Sequence, residues 1–167
     1  MTSNFITTVH GPDSPGIIRA LANATRGQGG EWLTSKFIKL DGRLAAIMSV
    51  VIEEELEERL KKTLSDEFPE LDFIYSPTNL TAKKATKIIN LVVDCIDRTG
   101  LTSDLSNILS NLGIRVENMD TKRFTMDGIN DTVFRAKLTL AVPEGAESEA
   151  IAGEIEALSE DVRVNVL

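Results

Sequence analysis

The sequence predicts an α+β protein of two tandem β-α-β-β-α-β units, each an antiparallel sheet with its helices on one face. Two observations carry that prediction and a third sets its scale. The stretch Gly11-Pro12-Asp13-Ser14-Pro15-Gly16-Ile17 stands between a β-branched apolar run, Phe5-Ile6-Thr7-Thr8-Val9, and a segment where Ile17, Leu21 and Ala24 recur at helical spacing. Eighty-four positions later, Cys95-Ile96-Asp97-Arg98-Thr99-Gly100-Leu101 follows a second apolar run, Ile88-Ile89-Asn90-Leu91-Val92-Val93. At that offset Leu21 matches Leu105, Asn23 matches Asn107 and Gly29 matches Gly113, so one unit is written twice. The chain of 167 residues holds two small domains, each with a thin core that gains from packing against its neighbour.

In the first unit, Phe5 to Val9 reads as a buried strand, and the helix from Ile17 stops at Gly27-Gln28-Gly29-Gly30. Ser14 suits the N-cap and Pro15 the first helical position, which puts Gly16 in the first turn. Glu31 to Leu40 and Arg43 to Ile52 are strands around the two-residue hairpin signal Asp41-Gly42. Glu53-Glu54-Glu55 opens the second helix with acids on its positive end, and Leu56, Leu60, Leu64 and Phe68 form its buried stripe. Glu57–Lys61 and Glu58–Lys62 are favourable exposed pairs, and Pro69 ends the helix. Leu71 to Tyr75 is the last strand.

This divides the chain into a first unit at 1–76, a linker at 77–86 carrying Pro77 and Lys83-Lys84, and a second unit at 87–167. So short a linker keeps the halves together. In the second unit the elements are a strand from Lys87 to Cys95, a helix on Leu101, Leu105, Ile108, Leu109 and Leu112, and a strand from Ile114 to Phe124. A longer loop, Met126 to Asp131, leads to a strand from Thr132 to Val142. Pro143-Glu144-Gly145 then turns into a helix on Ile151, Ile155 and Leu158, and Asp161 to Leu167 is the final strand.

The two third strands differ. In the second unit, Arg135, Lys137 and Thr139 make one face polar. In the first, Ala45, Ile47 and Val51 are apolar opposite Leu44, Ala46, Met48, Val50 and Ile52. Helices cover one face only, so the other is expected to pack on a second sheet, from the other unit or another subunit.

The net charge is −8, with −4 over residues 1–76 and −6 over 87–167. An acidic chain without a basic stripe argues against direct contact with nucleic-acid phosphates or an anionic membrane. The single cysteine, Cys95, excludes an internal disulfide and fits a reducing compartment. No secretory signal or bilayer-long apolar run is present, so the expected location is cytoplasmic. There is no phosphate-binding glycine loop, no nucleophile elbow and no zinc-ligand spacing. His10, the only histidine, has no partner that would make a catalytic set. The reading is therefore a non-catalytic protein without cofactor or metal.

Asp13-Ser14-Pro15-Gly16-Ile17 resembles the Asp-Arg-Pro-Gly-Ile loop that opens ACT domains, small amino-acid-binding regulatory modules. Asp97-Arg98-Thr99-Gly100-Leu101 resembles the same loop with Thr in place of Pro. Two such units filling the chain, with no enzyme attached, are similar to the glycine cleavage system transcriptional repressor family. The resemblance implies two ferredoxin-like ACT units, a homodimer and a small amino acid of the glycine or serine class as ligand. It further implies action through a protein partner such as a transcription regulator. Ligands in this family sit where the loop of one unit faces the start of the second strand of a neighbour. The implied positions are Asp13, Ser14, Pro15, Gly16 and Ile17 with Glu31, and Asp97, Arg98, Thr99, Gly100 and Leu101 with Arg115. Where the family often carries Gly-x-Asn-Ile, this chain has Gly29-Gly30-Glu31-Trp32 and Gly113-Ile114-Arg115-Val116.

From the residues alone each loop admits two roles. Gly16 and Gly100 either only permit a tight turn, with Asp13 and Asp97 as caps, or they also bare N–H groups that receive a carboxylate. Arg115 and Glu31 either grip a carboxylate and an ammonium or are solvated strand-end charges. His10 is structural or ligand-adjacent, and Cys95 packs as a small buried side chain or serves as a reactive thiol. The acidic stretch Glu144 to Asp161 is a wet helix face or a docking surface for a basic partner. The function expected is a regulatory amino-acid sensor; the alternative is an assembly module that needs no ligand.

Overall fold

The computed structural model describes residues 1–78 and 86–167. The chain divides into two compact units, Met1–Thr81 and Ala82–Leu167, and most of the expected linker lies outside the described residues. The first unit runs β1 (Thr2–Pro12), α1 (Ile17–Gly27), β2 (Glu31–Leu40), β3 (Arg43–Glu53), α2 (Glu57–Glu67) and β4 (Asp72–Pro77). The second runs β5 (Thr86–Ile96), α3 (Leu101–Asn111), β6 (Arg115–Thr125), β7 (Thr132–Pro143), α4 (Ser148–Glu156) and β8 (Arg163–Val166). The sheets are ordered β2-β3-β1-β4 and β6-β7-β5-β8, with every neighbouring pair antiparallel. This is the ferredoxin-like β-α-β-β-α-β arrangement, twice.

Alternation on the two central strands decides where each core lies. In the first unit Phe5 and Val9 of β1 and Leu44, Ala46, Met48, Val50 and Ile52 of β3 are buried against Ile17 and Leu21 of α1 and Leu60 and Leu64 of α2. In the second, Leu91, Val93 and Cys95 of β5 and Phe134, Ala136, Leu138 and Leu140 of β7 meet Leu101, Leu105, Leu109, Ile151 and Ile155. Each fully buried Leu contributes about 1.5–3 kcal/mol.

The hairpin joining β2 to β3 turns on Asp41 (φ 47°) and Gly42 (φ 76°), the two positive φ values of a type I′ turn. Several boundaries differ from the sequence expectation. β1 reaches Pro12 instead of Val9, because β3 offers a partner for every residue from Thr2 (opposite Glu53) to Pro12 (opposite Arg43). β3 likewise takes Glu53, and a single 3-10 turn, Glu54–Leu56, precedes α2. Glu57–Lys61 forms as expected at 2.6 Å, whereas Glu58 meets Lys61 and Lys62 meets Asp66.

The open faces keep the contrast read from the sequence. On the first sheet Ile38, Ile47 and Ile74 are 56%, 53% and 55% exposed, and Val51 is partly buried. On the second, Arg135 holds Asp94 through two hydrogen bonds of 2.6 and 2.8 Å, with Lys137 and Thr139 further along β7. No helix among the described residues is long and apolar enough to cross a membrane.

Candidate functional site

The two β-α loops are built alike, and their glycines hold places other than those expected. Gly16 (φ 75°) and Gly100 (φ 89°) are themselves the N-caps, in the left-handed region, rather than first-turn residues. Ser14 is therefore not the cap and Pro15 not the first helical residue; the Ser14 carbonyl instead accepts the Ile17 N–H at 3.2 Å. The Gly16 and Gly100 carbonyls accept the first helical bonds, from Ala20 and Asp104, at 2.9 Å. The amides next in line, those of Ile18 and Arg19, and of Thr102 and Ser103, have no acceptor within their helices. A Cβ built on either glycine would meet nothing within 4 Å, so both caps are open.

Asp13 and Asp97 do not cap, since neither helix has a side-chain cap hydrogen bond. Each carboxylate is drawn sideways to the edge strand instead. Lys39 Nζ of β2 lies 3.1 Å from Asp13, and Arg123 Nε of β6 donates to both Asp97 oxygens at 2.9 and 3.0 Å. The backbone completes the tie: Asp13 N–H donates to the Gly42 carbonyl at 2.9 Å, and Asp97 N–H to the Thr132 carbonyl at 2.8 Å. Gly42 and Thr132 each precede the third-strand residue that pairs with the last residue of the first strand, Arg43 opposite Pro12 and Val133 opposite Ile96, so these bonds are equivalent. Lys39 and Arg123 were missed as loop determinants, although both are cations at the same eighty-four-residue offset.

The helix ends differ electrostatically. The first turn of α1 has no acidic residue, so its partial positive charge is uncompensated. The first turn of α3 carries Asp104, which pairs with Arg98 at 3.0 Å. Beside the first loop, a cleft of about 330 Å³ is lined by Ser14, Pro15, Gly16 and Ile17, by Glu67 at the end of α2, and by Phe68, Pro69 and Glu70 of the turn after it. Glu67 and Glu70 supply the charged residues of this lining, while Ile18 and Arg19, which carry the free amides, are not part of it.

Within one unit the strand starts lie far from their loops. Eleven residues of α1 separate Gly16 from Glu31, about 16 Å at 1.5 Å per residue, and α3 separates Gly100 from Arg115 in the same way. Arg115 is turned to Glu117 at 3.0 Å. The edge strands share a bulge just past these starts, between Trp32 and Thr34 and between Val116 and Asn118. A second cavity, of about 510 Å³, lies at the Glu31 end of α1.

His10 stands on the open face, 3.7 Å from Asp72. Cys95 is buried in the core of the second unit, and burial pushes its thiol pKa up, which favours the packing role over a reactive one. Among the described residues no three His, Cys, Asp or Glu side chains gather as a metal set.

The family model of the ACT domain matches residues 3–76. No curated protein matches the sequence. The solved structures similar over the whole chain include the following two. An unknown protein from Galdieria sulphuraria is 19% identical with a TM-score of 0.83, over 99% of this chain and 98% of its own. A candidate glycine cleavage system transcriptional repressor is 16% identical with a TM-score of 0.75, over 100% of this chain and 98% of its own. At such identities the likeness is one of fold, and it extends to both units.

Proposed function

Residues 3–76 are an ACT domain and the second unit repeats its fold, and from that premise we propose that the chain is a non-catalytic regulatory protein that senses a small amino acid. The observation that carries the reading is the pair of open glycine caps, each held in place by the same carboxylate tie to its edge strand. A ligand carboxylate is received by the amides of the first turn, and α1 is the stronger receiver because no acid of its own occupies that end. An ammonium is met by Glu67 or Glu70 across the cleft, or by Glu31 from a second copy of the chain. A homodimer of this kind would make ligand occupancy and packing depend on one another, which lets a sensor switch.

The net acidity supports action on another protein, such as a transcription regulator, rather than on DNA. The fold shared with a candidate glycine cleavage system repressor supports glycine or serine as first probes. A reading without ligand, in which the chain only assembles, is favoured by the exposed Ile38, Ile47 and Ile74. Isothermal titration of the full chain with the amino acids separates the two. Saturable heat with glycine or serine, lost in Gly16→Val, supports sensing; silence across the panel leaves only assembly.

A further inference from the structure

We propose that the second unit docks onto a second copy of the chain, the outer face of its sheet taking the acidic helix α4 of the neighbour. On β7, Phe134, Ala136 and Leu138 point into the core, so Arg135 and Lys137 stand on the face away from the helices. The ladder puts Lys122 of β6 opposite Arg135 on that face, and Asp120 opposite Lys137. Arg135 is spent on Asp94, and Asp120 accepts a hydrogen bond from Asn118 at 3.0 Å. Lys122 and Lys137 make no ion pair with a described residue. Phe124 lies beside these cations, its ring centre 5.5 Å from Lys122 Nζ and 5.3 Å from Arg135 Cζ. The fold does not ask for this charge: the first sheet has Ile38, Ala45 and Ile47 where the second has Lys122, Arg135 and Lys137.

The opposite side of the same unit is acidic. Residues 144–161 hold seven carboxylates and no lysine or arginine. Ile151 and Ile155 turn α4 into the core, which leaves Glu147, Glu149, Glu154 and Glu156 exposed. None of the four makes an ion pair with a described residue. Glu147 and Glu154 stand two turns apart, about 10 Å along the helix, and Lys122 and Lys137 are diagonal neighbours about 7–8 Å apart, a difference that their long side chains absorb. The two glutamates border a cavity of about 280 Å³ with Leu112, Ala150 and Ile151, an apolar surface for the ring of Phe124. Because cations and acids lie on opposite sides of one unit, each copy gives its helix to one neighbour and takes a helix from another. Such a heterologous contact does not close into a two-fold dimer. A nucleic acid is a poorer occupant, since its phosphates would meet Asp94 and Asp120 on the same face. The contact uses neither the glycine loops nor a bound amino acid, so it does not rest on the sensing proposed above.

The test is sedimentation velocity of the full chain at rising protein concentration, in about 0.1 M and about 1 M salt. At the lower value a Debye length of about 10 Å screens the mutual repulsion of chains of charge −8 but spares ion pairs in contact; at the higher, about 3 Å, those pairs weaken too. The expected result is a weight-average sedimentation coefficient that climbs with concentration at the lower salt, and an association at least tenfold weaker at the higher. Lys122→Glu with Lys137→Glu abolishes it, and so does Glu147→Lys with Glu154→Lys, both with unchanged circular dichroism spectra. Mixing the two variants restores association, because each then offers the other a surface of opposite sign; a misfolded variant could not give that rescue. A chain that stays monomeric at hundred-micromolar concentration, or a mixture without rescue, overturns the proposal. An association that ignores salt and is lost in Ile47→Asp overturns it too, by moving the contact to the first sheet. So does a monomeric chain that binds a single-stranded oligonucleotide through Lys122 and Lys137.

Discussion

Cutting the tie between each loop and its edge strand should cost the two units unequal amounts. Arg123 Nε reaches both Asp97 oxygens at 2.9 and 3.0 Å, and the Asp97 side chain is only 24% exposed. A hydrogen bond between charged groups contributes about 1.5–3 kcal/mol when shielded, and the half-exposed Arg123 lowers that to about 1 kcal/mol. Lys39 makes one contact to Asp13 at 3.1 Å from a side chain that is 48% exposed, so its coupling is about 0.3 kcal/mol. Arg123 also lies 5.1 Å above the ring of buried Phe134, so Arg123→Ala loses about 0.5 kcal/mol that Asp97→Ala does not. Double-mutant cycles isolate the two couplings. Because a chain of two units need not unfold in one step, each unit requires its own signal. Trp32 fluorescence follows the first, and pulse labelling of Cys95, the only thiol and a buried one, follows the second. A coupling for Asp13–Lys39 equal to or above that for Asp97–Arg123 would refute the reasoning.

Other outcomes follow from the same structure. Gly16→Ala should cost about 1 kcal/mol, through left-handed strain alone. Gly11→Ala should cost about 2–3 kcal/mol, because its Cβ would fall 2.5 Å from Leu71 Cδ2 and 2.8 Å from the Glu70 carbonyl; the reverse order in Trp32-monitored denaturation would contradict this. Tyr75, the only tyrosine, has its pKa pushed up to about 12 by burial and then by Glu58, so its ultraviolet titration should begin well above that of free tyrosine and shift down on unfolding. Glu57 is held below its ordinary 4.5 by hydrogen bonds from Lys61 and Ser3, so its support is complete above that value and lost as pH falls below it. Lys61 is raised above 10.5 by Glu57, so its support is lost as pH climbs past that value; Glu57→Gln should flatten both limbs of the stability curve.

How much of this was legible depended on whether the signal was local. Asp41-Gly42 announces its turn because only a few residue types accept two positive φ values in succession, and the structure puts that turn there. The strand before the loop was read short because Gly11 and Pro12 are poor strand formers in isolation; the ladder to Leu44 and Arg43 overrides them. Ser14 followed by Pro15 has the look of a helix start, yet Gly16 takes the cap because only glycine enters the left-handed region cheaply there. The tie from Lys39 and Arg123 joins residues 26 positions apart in each unit, so no local pattern betrays it. Comparing the two copies position by position would have found it. The shared bulges carry no residue type that marks them, and Arg26 joins Glu31 and Trp32 only because α1 ends beside the start of β2.

The central claim, that the glycine-capped helix starts receive a ligand carboxylate, is tested most directly by nuclear magnetic resonance of the amides. During titration with glycine and then serine, the account predicts saturable shifts of the Gly16, Ile17, Ile18 and Arg19 amides, with smaller shifts at Gly100 and Thr102, where Asp104 already serves the helix end. Saturation with those amides unmoved, or no saturable shift with either amino acid, would contradict it.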